Sequence, residues 1–80
     1  MNVSTAVSKR ITALCAERKI AINALATLSG VPPMTVYSIL NGKSKAPTIV
    51  NIKKICDGLE IGLKDFFDAP VFDSLNQEIE

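Results

Sequence analysis

An all-α fold, a compact domain of five short helices, is what the sequence predicts, and three observations carry the prediction. Hydrophobic residues make up 48% of the 80-residue chain, yet aromatics supply only 5% and tryptophan is absent. That composition suits a core of Ile, Leu, Val and Ala on helices better than a β-sandwich. Apolar residues recur at i, i+4, i+7 and i+8, the spacing of one helix face. Helix-ending pairs at Ser29-Gly30, Asn41-Gly42 and Ala69-Pro70 then cut the chain into short pieces.

The first helix is expected over about Thr5 to Arg18. Ser4 or Thr5 would cap it, Val7, Ile11, Leu14 and Cys15 would face inward, and Lys9, Arg10 and Thr12 outward. Ile20 and Ile22 flank a short break. Ile22, Leu25, Ala26 and Leu28 mark a second helix that stops at Gly30, a residue free to take the left-handed conformation of a sharp exit. The third helix opens with Pro33 at its first position, where no N–H is needed, and Pro32 is pushed into the extended form of an N-cap. It closes at Asn41-Gly42, both tolerant of positive φ, before the basic loop Lys43-Ser44-Lys45-Ala46-Pro47. On a wheel, Val36, Ile39 and Leu40 share one side, and Pro33, Met34, Tyr37 and Ser38 the other. A helix this short is unstable alone, so its apolar side must be docked and its other side displayed.

Thr48 caps a fourth helix, about Ile49 to Asp57, with Ile49, Ile52, Ile55, Cys56 and Leu59 inward and Lys53-Lys54 on a solvated face. Ile61 to Phe67 reads as a last short helix that closes the core with two aromatics. The stretch 69–80 is acidic; Val71, Leu75 and Ile79 fit another helical turn or two, and a frayed tail fits as well. The domain proper is therefore placed at 1–68.

Charge is divided along the chain. Residues 1–56 carry Lys9, Arg10, Arg18, Lys19, Lys43, Lys45, Lys53 and Lys54 against Glu17 alone, a net +7, whereas 57–80 carry seven carboxylates against Lys64, a net −6. Such a split predicts a basic functional face with an acidic end kept off it. No His is present, and Cys15 and Cys56 are the only cysteines. Both fall on apolar helix faces and are expected to be buried thiols, so an ordinary zinc site is hard to assemble. No nucleophile motif or phosphate-cradling glycine loop occurs either; neither an enzyme nor a metal or other cofactor is expected. No apolar run approaches the ~18 residues of a membrane span, and the amino terminus lacks the pattern of a signal peptide. A cytoplasmic location, no membrane and no small-molecule substrate are the expectation.

Two short helices joined by a glycine-containing turn define a helix-turn-helix over 22–40. Leu25-Ala26, Ser29-Gly30-Val31, Thr35-Val36, Ile39, Asn41-Gly42-Lys43, Pro47 and the Leu59 to Phe66 segment together resemble the Cro/C1-type (XRE-like) helix-turn-helix domain of phage and bacterial repressors, over about residues 6–68. The resemblance implies a lambda-repressor-like domain that binds double-stranded operator DNA as a homodimer and represses transcription. It places Pro33, Met34, Tyr37 and Ser38 on the base-reading side of the recognition helix. Thr35 falls at its phosphate margin, and Asn41, Lys43 and Lys45 in the loop that grips the backbone. Lys9 and Arg10 are further phosphate candidates. A protein-interaction module of the same fold, antitoxin-like or adaptor, is the alternative.

Seven positions, in four groups, depart from the family pattern. Ala21-Ile22 stand where a Ser or Asn cap followed by Gln is common, and Pro33-Met34 where Arg or Gln often reads bases. Cys15 and Leu40 replace an Arg and a Glu that often pair, and Glu60 stands where a helix-ending Gly is usual.

Overall fold

The computed structural model describes residues 1–42 and 47–79. Among them are five α-helices: α1 Val3–Arg18, α2 Ile22–Ser29, α3 Pro33–Leu40, α4 Ile49–Gly58 and α5 Leu63–Phe67. A 3-10 turn, Pro70–Phe72, follows. None of these helices is long and apolar enough to cross a membrane.

Each helix begins and ends for a local reason. The first starts earlier than expected, because Asn2 and not Ser4 or Thr5 is the cap: its side-chain oxygen accepts the Thr5 N–H at 2.8 Å. Asn is as good a cap as Ser, and starting there brings Ala6 into the first turns, fully buried. At the other end Lys19 takes the left-handed conformation, φ 57°, so that its N–H and that of Ile20 close onto Ala16 and Cys15. Ala21 gives α2 no side-chain cap. Gly30, φ 69°, ends α2, and Pro32 then presents its carbonyl to the N–H groups of Thr35 and Val36, with Pro33 at the first helical position as expected. At the exit of α3, Gly42 alone turns left-handed, at φ 78°; Asn41 stays at φ −95° and donates its N–H to Tyr37. Thr48 caps α4 through the Asn51 N–H, as its type predicts.

One core joins all five helices. Val7, Ile11 and Leu14 of α1, Leu25 of α2, Val36 and Ile39 of α3, Ile52 and Ile55 of α4, and Phe66 of α5 are all buried in it. Cys15 and Cys56 lie there too as free thiols. Two of the apolar residues that delineate α2 and α4 in the sequence are exposed, Leu28 of α2 and, against the expectation that it faces inward, Ile49 of α4. Leu28 is 58% exposed, because the inward stripe of α2 runs through Ile22, Leu25, Ala26 and Ser29 and leaves Leu28 about 100° round the helix. Ile49 is 57% exposed, since the first turn of α4 overhangs the buried stripe that begins at Ile52.

The end of α4 meets the end of α2 at Gly58. A Cβ there would stand 2.9 Å from the Ser29 backbone nitrogen, so the residue's missing side chain sets how closely the two helices approach. Glu60 follows at φ 58°, the strained position expected from the missing glycine. Phe67 stacks edge-on against Phe66 and also meets Phe72, with ring centroids 5.0 Å apart in each pair, which fastens the 3-10 turn to the core. Beyond it the chain runs back along the amino terminus, where the Asn76 N–H donates to the Met1 carbonyl.

Candidate nucleic-acid interface

The turn between α2 and α3 is built so that one face of an eight-residue helix is free. Gly30 reverses the chain, Val31 drops into the core at 2% exposure, and Val36 and Ile39 anchor α3 from below. The opposite side is then committed to solvent: Pro33 is exposed, Met34 is 83% exposed and Tyr37 47%, with Ser38 and Thr35 half-buried at the edges. The structure thus brings Pro33, Met34, Thr35, Tyr37 and Ser38 onto one ridge. Asn41 continues it at the exposed exit of the helix. Lys43 and Lys45, the remaining residues expected here, lie outside the described residues.

Two neighbours join the ridge. From α2, the Asn23 side-chain oxygen accepts from the Tyr37 hydroxyl at 3.4 Å, which orients the phenol along the α2–α3 groove. Sequence patterning missed Asn23, whose signal was a polar residue in the first turn of a helix that has no capping side chain. From α1, the Ser8 hydroxyl donates to the Leu40 carbonyl at 2.8 Å and so satisfies one of the orphan acceptors at the end of α3. Beside that bond lies an open cleft in which Asn2, Thr5 and Lys9 face Asn41 and Gly42. Lys9 therefore stands next to the exit of the displayed helix.

Arg10 does not. It was expected on the outward face with Lys9, but its guanidinium reaches across the domain and donates from Nε to the Phe66 carbonyl at 2.7 Å and from Nη2 to the Asp65 carbonyl at 2.8 Å. Arg18 does the same one helix over, with Nη1 2.6 Å from the Leu59 carbonyl at the end of α4. A planar, multi-donor cation is well matched to the unpaired carbonyls and partial negative charge of a helix C-terminus. Lys53 is exposed and pairs with Asp57 one turn later, so the Lys53-Lys54 face is a solvated one. Burial pushes the Cys15 thiol above its ordinary pKa. The same effect, with the Asp57 charge adding to it, raises Cys56, so both are held neutral as core side chains.

A short, uncapped second helix, a glycine turn and an outward-facing third helix anchored from beneath define the class: a helix-turn-helix domain. The chain belongs to the Cro/C1-type helix-turn-helix DNA-binding domain family, whose model matches residues 10–71. It is 42% identical over 53 residues to the HTH-type transcriptional repressor RghR of Bacillus subtilis (strain 168). That match takes in 66% of this chain and 39% of the repressor, so the chain spans about two fifths of that relative's length. Among solved structures, the prophage Lp1 protein 11 superposes with a TM-score of 0.81 at 37% identity, covering 94% of this chain and 100% of that one. An HTH_3 family transcriptional regulator from Vibrio cholerae superposes with a TM-score of 0.77 at 29% identity, covering 85% of this chain and 38% of that protein.

Proposed function

We propose that the protein is a sequence-specific transcriptional repressor that occupies operator DNA as a homodimer, with α3 lying in the major groove of each half-site. The observation that carries this reading is the division of α3 itself: Val36 and Ile39 are held in the core while Pro33, Met34 and Tyr37 are exposed along one ridge, with half-buried Ser38 at its edge. Pro33 and Met34 offer no hydrogen bonds to base edges, so sequence choice rests on contacts with thymine methyl groups, on the Tyr37 and Ser38 hydroxyls, and on DNA shape. Thr35, Asn41, Lys9 and the loop lysines Lys43 and Lys45 contact phosphates, which set register and affinity. Repression follows from occupancy alone, by excluding polymerase or an activator. The activity is binding rather than catalysis.

In vitro selection from random duplexes at low salt tests the proposal. Recovery of a pseudo-palindrome with half-site centres one helical turn, about 34–36 Å, apart is the expected result. In the same selection Tyr37→Ala should shift the recovered sequence. Recovery of no motif contradicts sequence-specific binding. If a stoichiometric protein partner is instead lost on Met34→Glu and is indifferent to DNA, the protruding Met34 serves an adaptor role.

A further inference from the structure

We infer that Ser8 is a positioning residue for phosphate recognition: its hydroxyl fastens the exit of α3 to α1 and so holds Lys9 and Asn41 at one spacing for a nucleic-acid strand. The inference rests on the DNA-binding reading above and deepens it by naming the residue that sets the geometry of that face.

The tie is well made, and both of its ends are held. Ser8 Oγ stands 2.8 Å from the Leu40 carbonyl oxygen, the ordinary length of an O–H···O bond, across 32 residues of sequence. The bond is partly buried, so water competes for it less than for a surface contact. On α1, Val7 and Ile11 beside Ser8 are buried in the core, and the Ser8 carbonyl accepts the Thr12 hydroxyl at 3.0 Å. On α3, Leu40 packs against the same core. The chain then leaves the helix through Asn41, whose N–H donates to the Tyr37 carbonyl at 2.9 Å, and through left-handed Gly42.

The chemistry assigns holding rather than contact. A serine hydroxyl has one hydrogen, and here the Leu40 carbonyl takes it. The charged oxygens of a phosphodiester accept hydrogen bonds and donate none, so Ser8 has nothing left to give one. Its neighbours do. Lys9 follows Ser8 on α1 and Asn41 follows Leu40 at the end of α3, and both line the cleft beside the bond. The two come from separate elements, with the Ser8–Leu40 bond between them. Eight residues long, α3 carries no basic side chain in its last turn to hold the carbonyls there. Without the hydroxyl that turn frays, and Lys9 and Asn41 must be aligned afresh whenever a strand binds. The ordering cost falls on affinity, and because it concerns phosphates it falls on every duplex alike.

Ser8→Thr and Ser8→Val have nearly the same shape and differ in the hydroxyl, while Ser8→Ala removes the hydroxyl without adding bulk. Each full-length chain is titrated with a 24-base-pair mixed-sequence duplex at about 50 mM salt, at a temperature where circular dichroism shows it folded. Ser8→Val and Ser8→Ala should bind about fivefold more weakly than the parent, and Ser8→Thr within about twofold of it. In the free protein, hydrogen exchange at the Asn41 amide should quicken about tenfold in Ser8→Val and stay unchanged in Ser8→Thr. In a Lys9→Ala background the loss from Ser8→Val should shrink below about twofold, because the pair to be aligned is gone. A role in stability alone would lower the melting temperature and leave the affinity of folded molecules, and its coupling to Lys9, unmoved. Parent-like affinity in both Ser8→Val and Ser8→Ala overturns the positioning role while leaving the DNA-binding reading intact. Equal losses in Ser8→Thr and Ser8→Val do the same, as does a Ser8→Val loss undiminished by Lys9→Ala. Failure of the parent itself to bind any duplex at about 50 mM salt overturns the DNA-binding reading and the positioning role with it.

Discussion

Arg10 and Lys9 are adjacent on one helix and serve opposite sides of the molecule. Arg10 turns inward over the end of α5 and, with Arg18 over the end of α4, closes the domain. Lys9 points to the exit of α3, where Asn41 and Gly42 complete an open polar cleft. The closing side uses its cations to satisfy carbonyls that helix ends leave unpaired, whereas on the other side Lys9 and Asn41 line an open cleft, the place proposed for phosphate contacts. A charge count therefore overstates a binding face. Of the eight cations in residues 1–56, the two arginines are engaged by backbone carbonyls and Lys53 by Asp57, so the net +7 of the sequence is not the charge that DNA would meet.

Substitutions at the two neighbours should have different consequences, the larger one for the fold at Arg10. Arg10→Ala should destabilise the fold by about 2–3 kcal/mol in urea unfolding, because the part-buried Phe66 carbonyl and the exposed Asp65 carbonyl both lose a charged donor. Arg10→Lys should restore less than half of that, since one ammonium cannot reproduce the planar pair of bonds. Affinity per folded molecule should be unchanged in both. Next in size is Gly58→Ala on the same closing side. A methyl group forced to within 2.9 Å of the Ser29 backbone should cost about 1–3 kcal/mol, even though alanine favours helix. On the reading side, Lys9→Ala should alter stability by no more than about 0.5 kcal/mol. It should weaken binding to all duplexes alike and reduce the salt slope by about one, as titrations at several salt concentrations would register.

The reading side was legible in the sequence to a degree that the closing side was not. Gly30, Pro33 and the 3.6-residue spacing of Val36 and Ile39 are local signals, and each determined its feature without help from the rest of the chain. The strained Glu60 was legible through the family pattern, as a non-glycine residue at a glycine position. Arg10 was not legible, because its wheel position is outward and the carbonyls it reaches lie more than fifty residues away. Periodicity gives the direction in which a Cβ points, while the reach of a long cation depends on what the tertiary fold brings within range. Asn2 was passed over for a similar reason: several good capping residues in a row leave the helix start undetermined until packing selects one. The exposure of Leu28 and Ile49 reflects helix length, since an apolar residue at the edge of a short stripe has no neighbour to cover it. The fate of the tail depended on Phe72 finding Phe66 and Phe67, a tertiary contact to which the spacing of Val71, Leu75 and Ile79 is blind.

We propose that the ridge along α3, with Lys9 and Asn41 at its exit, is the surface that meets DNA, and that the arginine-closed side is not. Amide chemical-shift mapping of the full chain during titration with a duplex recovered by selection tests this most directly. The predicted result is a continuous set of perturbed amides over residues 33–42, extending to Asn23 and the first turns of α1, with Leu63–Asp68 unmoved. Perturbations centred on α5 and the end of α4, with Met34 and Tyr37 unchanged, would contradict it.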